Sequence, residues 1–230
     1  MSPRPKLSEQ HPDLQAAIQE TAWKQIAEKG AAALSLRAIA RDLNITAPAI
    51  YNYFPRRDDL VTALIVDAFT SLGKSQIDSI RDLPEDDLAA RLTTLGLAYR
   101  EWAITYPQRY QLIFGTPIPG YEAPTDVTTP AAAGSLVPLI ETIQAIFTAG
   151  RLRVERSAEM TPELQSMLQA WSQFTGGTNV EVLYSALVIW SRVHGLVSME
   201  IGNQMPSFIT DPGEIFRREI KTIEDQLIGE

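Results

Sequence analysis

The chain holds two histidines, His11 and His194, and no cysteine. Thiolate chemistry and disulfides are therefore excluded. No Glu-x-x-His or His-x-x-x-His pair accompanies His194, so a metal ion would find no ligand set. No Ser-His-Asp or Cys-His constellation is supported by spacing, and no glycine-rich loop is present to cradle phosphate. The expected inventory is no catalytic residue, no metal and no cofactor. What remains is hydrogen bonding and charge crowded into residues 35–60. Arg37, Thr46, Tyr51, Asn52, Tyr53 and Arg57 lie there, with the small residues Ala47 and Pro48 among them. Tyrosine hydroxyls and arginines can hold phosphate oxygens, an asparagine can pair with adenine, and small side chains let a helix approach base edges.

These residues need short helices to present them. Leu14, Ile18, Ala22 and Ile26 recur every four residues and predict a first helix, with Gly30 as its C-cap. Ser35 can cap a second helix that carries Leu36, Ile39, Ala40 and Leu43 inward. Asn44 marks a tight turn, because asparagine tolerates the left-handed conformation. Thr46 can cap a third helix with Pro48 in its first turn. Ile50 and Phe54 then face the core, which leaves Ala47, Pro48, Tyr51 and Asn52 on the opposite side. Pro55 ends the third helix, and Asp58 and Asp59 open a fourth that runs toward Leu83. Two short helices joined by such a turn form a helix-turn-helix.

The same stretch resembles the TetR family. The resemblance rests on Ser35, Ile39–Ala40, Thr46, Ile50–Tyr51, Tyr53–Phe54, Arg57, Asp58 and Leu60. Asn44 stands where glycine is common in the family, and Tyr53 where histidine is common. The resemblance implies that Arg37, Tyr51, Tyr53 and Arg57 hold phosphates while Thr46, Ala47, Pro48 and Asn52 lie near base edges. The other role open to Tyr51 and Tyr53 is as half-buried helix aromatics, with Arg57 as a solvated end charge.

Downstream the pattern stays helical, with no alternating strand. Helices are expected from residue 84 to about 106, from 107 to about 115, over 131–150 with an interruption or bend near Pro138, and over 161–173, 180–202 and 211–228. Residues 116–130 are rich in Pro and Thr and read as a loop, either a cover for an entrance or a plain connector. A charged connector holds Arg151, Arg153 and Arg156. Trp190, His194 and Gly195, with Tyr99, Trp102, Pro107, Tyr110 and Phe114, resemble a TetR subclass named for a Trp-His-Gly signature. The family resemblance implies an effector cavity. Tyr99, Trp102, Phe114, Phe147, Trp171, Phe174, Trp190 and His194 are its candidates, and core packing is their other role. It also implies a homodimer built by the last two long helices. Leu187, Val188, Gly195, Leu196 and Ile201 are its candidate contacts, or else part of the monomer core.

The expected fold is all-α: a helix-turn-helix DNA-binding domain over 1–57, then a helical effector-binding and dimerisation domain over 58–230. Charge agrees with that division. Residues 1–57 carry eight Lys/Arg against five Asp/Glu, while residues 58–230 carry twelve against twenty-three, which gives +3 and −11 and the total of −8. A basic head on an acidic body is the distribution expected when only the head meets phosphate. Residues 1–10 are polar and proline-broken, with no apolar core of a signal peptide. No uninterrupted apolar run approaches a membrane span. The expectation is a cytoplasmic repressor with operator DNA and a small-molecule effector as partners. A small helical ligand-binding protein or enzyme is the competing function, and a helical protein-interaction module the third.

Overall fold

The structure is a computed structural model that describes residues 13–153 and 160–229. The polar leader with His11, and Arg156 of the connector, lie outside the described residues. Among the described residues there are ten α-helices, one short 3-10 turn and one isolated antiparallel bridge between Leu152 and Ile228. The helices are α1 (Leu14–Lys29), α2 (Leu36–Asp42), α3 (Ala47–Tyr51), α4 (Arg57–Ile80), α5 (Leu88–Thr105), α6 (Pro107–Phe114), α7 (Thr125–Thr148), α8 (Pro162–Phe174), α9 (Val180–Ile201) and α10 (Pro212–Leu227). The described residues divide into two compact units: 13–70 with 106–132, and 71–105 with 133–153 and 160–229.

In the first unit, α1 buries Leu14, Ile18, Ala22 and Ile26, the four residues that its periodicity singles out. Gly30 follows at φ 76° and donates its N–H to the Ile26 carbonyl, 2.8 Å away. Ser35 caps α2 by accepting from the Ala38 N–H. Asn44 takes φ 54°, a left-handed residue between α2 and α3. The chain returns there through a hydrogen bond from the Ile45 N–H to the Ala40 carbonyl at 2.9 Å. Ile50 and Phe54 are buried beside Ile39 and Leu60. Leu43 is only half-buried. Thr46 occupies the N-cap of α3 with extended backbone, although its side chain makes no capping hydrogen bond.

Three residues lock α1, α4 and α6 together within this unit. Asp67 accepts from the Trp23 indole N–H at 2.9 Å and from the Arg109 guanidinium at 2.6 Å. The Arg109 guanidinium also lies 4.7 Å from the centre of the Trp23 ring. A shared carboxylate and a cation over an aromatic face define one geometry for all three helices.

In the second unit, α5 begins at Leu88 rather than at the Pro84–Asp87 acidic run. Asp87 serves as its cap instead, accepting from the Ala90 N–H at 3.0 Å. Arg100 of α5 pairs with Glu200 of α9, and its guanidinium sits 5.7 Å from the Phe216 ring centre of α10. Gly96 gives Ile220 of α10 room: a Cβ there would lie 2.4 Å from Ile220 Cδ1. The two left-handed glycines Gly176 and Gly177 separate α8 from α9.

Two expectations are corrected. Residues 125–130 are helical, so the loop is shorter than the Pro/Thr composition suggests, and α7 runs through Pro130 and Pro138 without a break. Each proline removes one ladder donor. Burial of Leu139, Ile140, Ile143 and Ile146 on one face of α7 outweighs that loss, because tertiary packing rather than propensity supplies most helical stability. In addition, α7 and α9 are long and apolar enough by length and composition to cross a membrane, at a mean hydropathy of 1.3. Neither is an uninterrupted apolar run. Two of the three charges within α9 have ion-pair partners, Arg192 in Glu219 and Glu200 in Arg100.

The left-handed turn gives a direct test. Asn44→Ala should cost roughly 1–2 kcal/mol in urea unfolding, and Asn44→Gly much less, because alanine brings a Cβ into a left-handed conformation that glycine adopts freely and asparagine tolerates. Equal stability of the two variants would contradict the role given to this residue.

Candidate functional site

The exposed face of the reader is assembled from α2, the turn and α3. Arg37, Thr46, Ala47, Pro48, Tyr51, Asn52 and Tyr53 are all exposed, while Ile50 and Phe54 between them are buried. Tyr51 is 38 % and Tyr53 46 % exposed, which favours available hydroxyls over half-buried packing aromatics. Beneath this face, Gln25 of α1 is buried and bonded at both ends of its amide. Its Oε1 accepts from the Ser35 N–H and its Nε2 donates to Asp42, each at 3.3 Å. That amide fixes both ends of α2 on α1, and sequence periodicity did not single it out.

Arg57 stands differently from its neighbours. Its guanidinium donates to the carbonyls of Ala31, Ala32 and Leu34 at 3.0–3.3 Å, and it lies 3.6 Å from the Asp58 carboxylate. It therefore ties the start of α4 to the segment between α1 and α2. The more exposed cation is Arg56, which pairs with Asp59 at 2.7 Å.

In the second unit a cavity of about 30 Å³ opens among α4, α5, α7, α9 and α10. Tyr99 and Trp190 line it. The other aromatic candidates stand elsewhere. Trp102 is buried and donates to Ser71 Oγ at 3.0 Å. Phe114 belongs to the first unit, against Phe69 and Tyr110. Trp171 is half-buried on α8, Phe147 is exposed, and Phe174 is 90 % exposed. Gln76, which sequence analysis did not single out, lines the cavity from α4. Of the residues named for an interface, Leu187 and Gly195 are exposed, and Val188, Leu196 and Ile201 are half-buried.

His194 is a bonded structural histidine. Its Nδ1 is 2.9 Å from the Tyr99 hydroxyl and its Nε2 is 3.3 Å from Ser198 Oγ. Its ring lies 5.0 Å from that of Trp190. Among the described residues no group of His, Asp and Glu is arranged to hold a metal ion.

Burial lowers the His194 pKa below its ordinary value of 6.5. The unfolded chain therefore takes up a proton near that value which the folded chain refuses. Stability is retained above it and declines as the pH falls below it. Urea unfolding across that range should show a decline in the wild-type chain that is smaller in His194→Gln. Parallel pH profiles for the two chains would refute a desolvated, neutral imidazole.

Comparison with known proteins matches this arrangement. Residues 18–64 match the family described as bacterial regulatory proteins, tetR family, and residues 92–223 match the tetracyclin repressor-like C-terminal domain. The HTH-type transcriptional regulator Rv1816 of Mycobacterium tuberculosis is 32% identical over 215 residues, covering 91% of this chain and 90% of that protein. The solved regulatory protein SCO4313 superposes with a TM-score of 0.76 at 34% identity, covering 96% of this chain and 98% of its own. A tetR-family regulatory protein from Rhodococcus RHA1 shares the fold, with a TM-score of 0.63 at 18% identity over 94% of this chain and 97% of its own. With both halves of the chain matched, and a relative this similar over nearly its whole length, the protein belongs to the TetR family of helix-turn-helix transcriptional regulators and is not an enzyme.

Proposed function

We propose that the chain is a repressor that binds a palindromic operator as a homodimer in the cytoplasm and is released by a small-molecule effector. The observation that carries the DNA-binding part is the outward face of α3. Thr46, Ala47, Pro48, Tyr51 and Asn52 are exposed together over a buried Ile50, in the more basic part of the chain. Asn52 and the small residues read base edges, while Arg37 and the two tyrosine hydroxyls hold phosphates. DNA binding is assigned to residues 1–57, and effector binding and dimerisation to 58–230. Arg57 contributes chiefly by holding α4 in place, since its guanidinium is committed to three carbonyls.

The dimer is supported by an outward stripe on α9. Tyr184, Leu187 and Met199 are large, apolar and exposed at helical spacing. Gly195 shares that stripe, and a Cβ there would meet nothing within 4 Å, so another backbone could approach closely. Ile215 adds an exposed apolar residue on α10. The Trp-His-Gly resemblance fits the same helix: Trp190 and His194 pack inward, and Gly195 faces out.

The DNA test is selection from random duplexes, followed by titration against salt. An enriched palindrome is expected, with affinity falling steeply as salt rises. Tyr51→Phe should weaken binding to every sequence. Asn52→Ala should relax preference at one base position per half-site, at about 1–3 kcal/mol. A pool that yields no enriched sequence at moderate salt refutes sequence-specific binding.

For the dimer, light scattering at micromolar concentration should give twice the chain mass. Leu187→Glu should shift the population toward monomer without loss of helical content. A wild-type chain that runs as a monomer under these conditions excludes the interface.

A further inference from the structure

The cavity in the second unit has a polar group, the Gln76 amide, that the described residues engage at one end only. Gln76 is 5 % exposed and lines the cavity. Its Nε2 donates to the Ser135 carbonyl at 2.9 Å. That bond fixes the amide, because the reverse orientation would set two carbonyl oxygens against each other. Its Oε1 therefore stands as the acceptor, and among the described residues no hydrogen bond reaches it. No fully buried side-chain oxygen or nitrogen among the described residues lacks a partner, so this oxygen keeps some contact with accessible space, and a ligand donor that reached it would take the place of water.

Apart from Ser135 and the rings of Tyr99 and Trp190, the rest of the wall is aliphatic, including Leu72, Leu95, Leu139, Ile189 and Val193. Among the described residues no Asp, Glu, Lys or Arg lines it. The Tyr99 hydroxyl at one side is engaged with His194. We propose that the cavity selects an uncharged, mostly apolar ligand bearing one O–H or N–H group, which donates to Gln76 Oε1. This deepens the effector assignment above and rests on it.

Charge decides the class. A carboxylate or phosphate placed here would lose its hydration without meeting a cation, and it would face the Gln76 carbonyl oxygen. An ether or alkane would fill the space but leave Oε1 unpartnered. Size adds a second condition. A volume of about 30 Å³ is room for roughly two water molecules, so any organic ligand must push the walls apart. Binding then favours a wider conformation over this one, which is the differential affinity an effector requires.

The experiment uses the full chain and matched trios of probes on linear C10, alkylphenyl and alkylcyclohexyl scaffolds: the alcohol or phenol, its methyl ether, and the ionised carboxylate. Calorimetric titration should show, on at least one scaffold, the hydroxyl compound binding about tenfold more tightly than its ether, with the carboxylate weaker than both. In Gln76→Leu the hydroxyl and ether should bind equally. Gln76→Met serves if the leucine variant loses helical content or melts early. The inference is overturned if no scaffold binds, if the carboxylate binds as tightly as the hydroxyl compound, or if the preference for hydroxyl over ether survives in a folded Gln76 variant. Operator release is read in parallel. A hydroxyl ligand that shows the Gln76-dependent preference but leaves operator affinity unchanged refutes the effector role while the ligand class stands.

Discussion

Helix α4 supplies core residues to both compact units, and its sequence shows how. Leu60, Leu64, Ala68, Leu72 and Gln76 recur every four residues along its inward face. The first four of these positions are apolar and fully buried, and the fifth is a buried amide on the cavity wall. At its start Arg57 anchors the helix to the carbonyls of the segment between α1 and α2. Midway, Asp67 gathers Trp23 and Arg109. Within the first unit these two anchors reach α1, α6 and the segment between α1 and α2, while Leu72 and Gln76 serve the second.

Two buried glutamines make the contrast that separates scaffold from site. Gln25 spends both ends of its amide inside the chain, on Ser35 and Asp42. A fully satisfied buried amide specifies packing and asks for nothing more. Gln76 is as deeply buried, but only its donor end is engaged. Burial and residue type are the same in both cases. The difference lies in hydrogen-bond accounting, and the proposed ligand class rests on that difference.

The reader was legible in the sequence because its determinants are local. Gly30, Ser35, Asn44 and Pro48 act on backbone within a few residues, and each sits in the cap or turn that its chemistry suits. The alternation of buried Ile50 and Phe54 with exposed Tyr51 and Asn52 follows from helical spacing alone. The body was less legible. Residues 125–130 and Pro138 carry a local signal against helix, which long-range burial on α7 overrides. The aromatic candidates for the cavity share only their residue type, and apolar side chains do not announce whether they face a core, a void or solvent. Hence Tyr99 and Trp190 reach the cavity while Phe174 stands in the open. Gln76 did leave a signal: a polar residue at a core position of a four-residue repeat.

Charge and exposure together limit where each partner can bind. The head at +3 and the remainder at −11 mean that phosphate is attracted to one end of the sequence and repelled by most of the rest. The exposed apolar stripe on α9 lies in the acidic part, where a nucleic acid would be disfavoured, and Arg192 beside it is already neutralised by Glu219. An apolar surface of that kind suits protein rather than DNA. The polar, hydroxyl-bearing face of α3 is the reverse case, offering donors and few large apolar groups apart from its two tyrosine rings. The chemistry of the exposed residues therefore suits the two surfaces to different partners in the proposed reading, and the cavity, with no charged lining residue among the described residues, to the third.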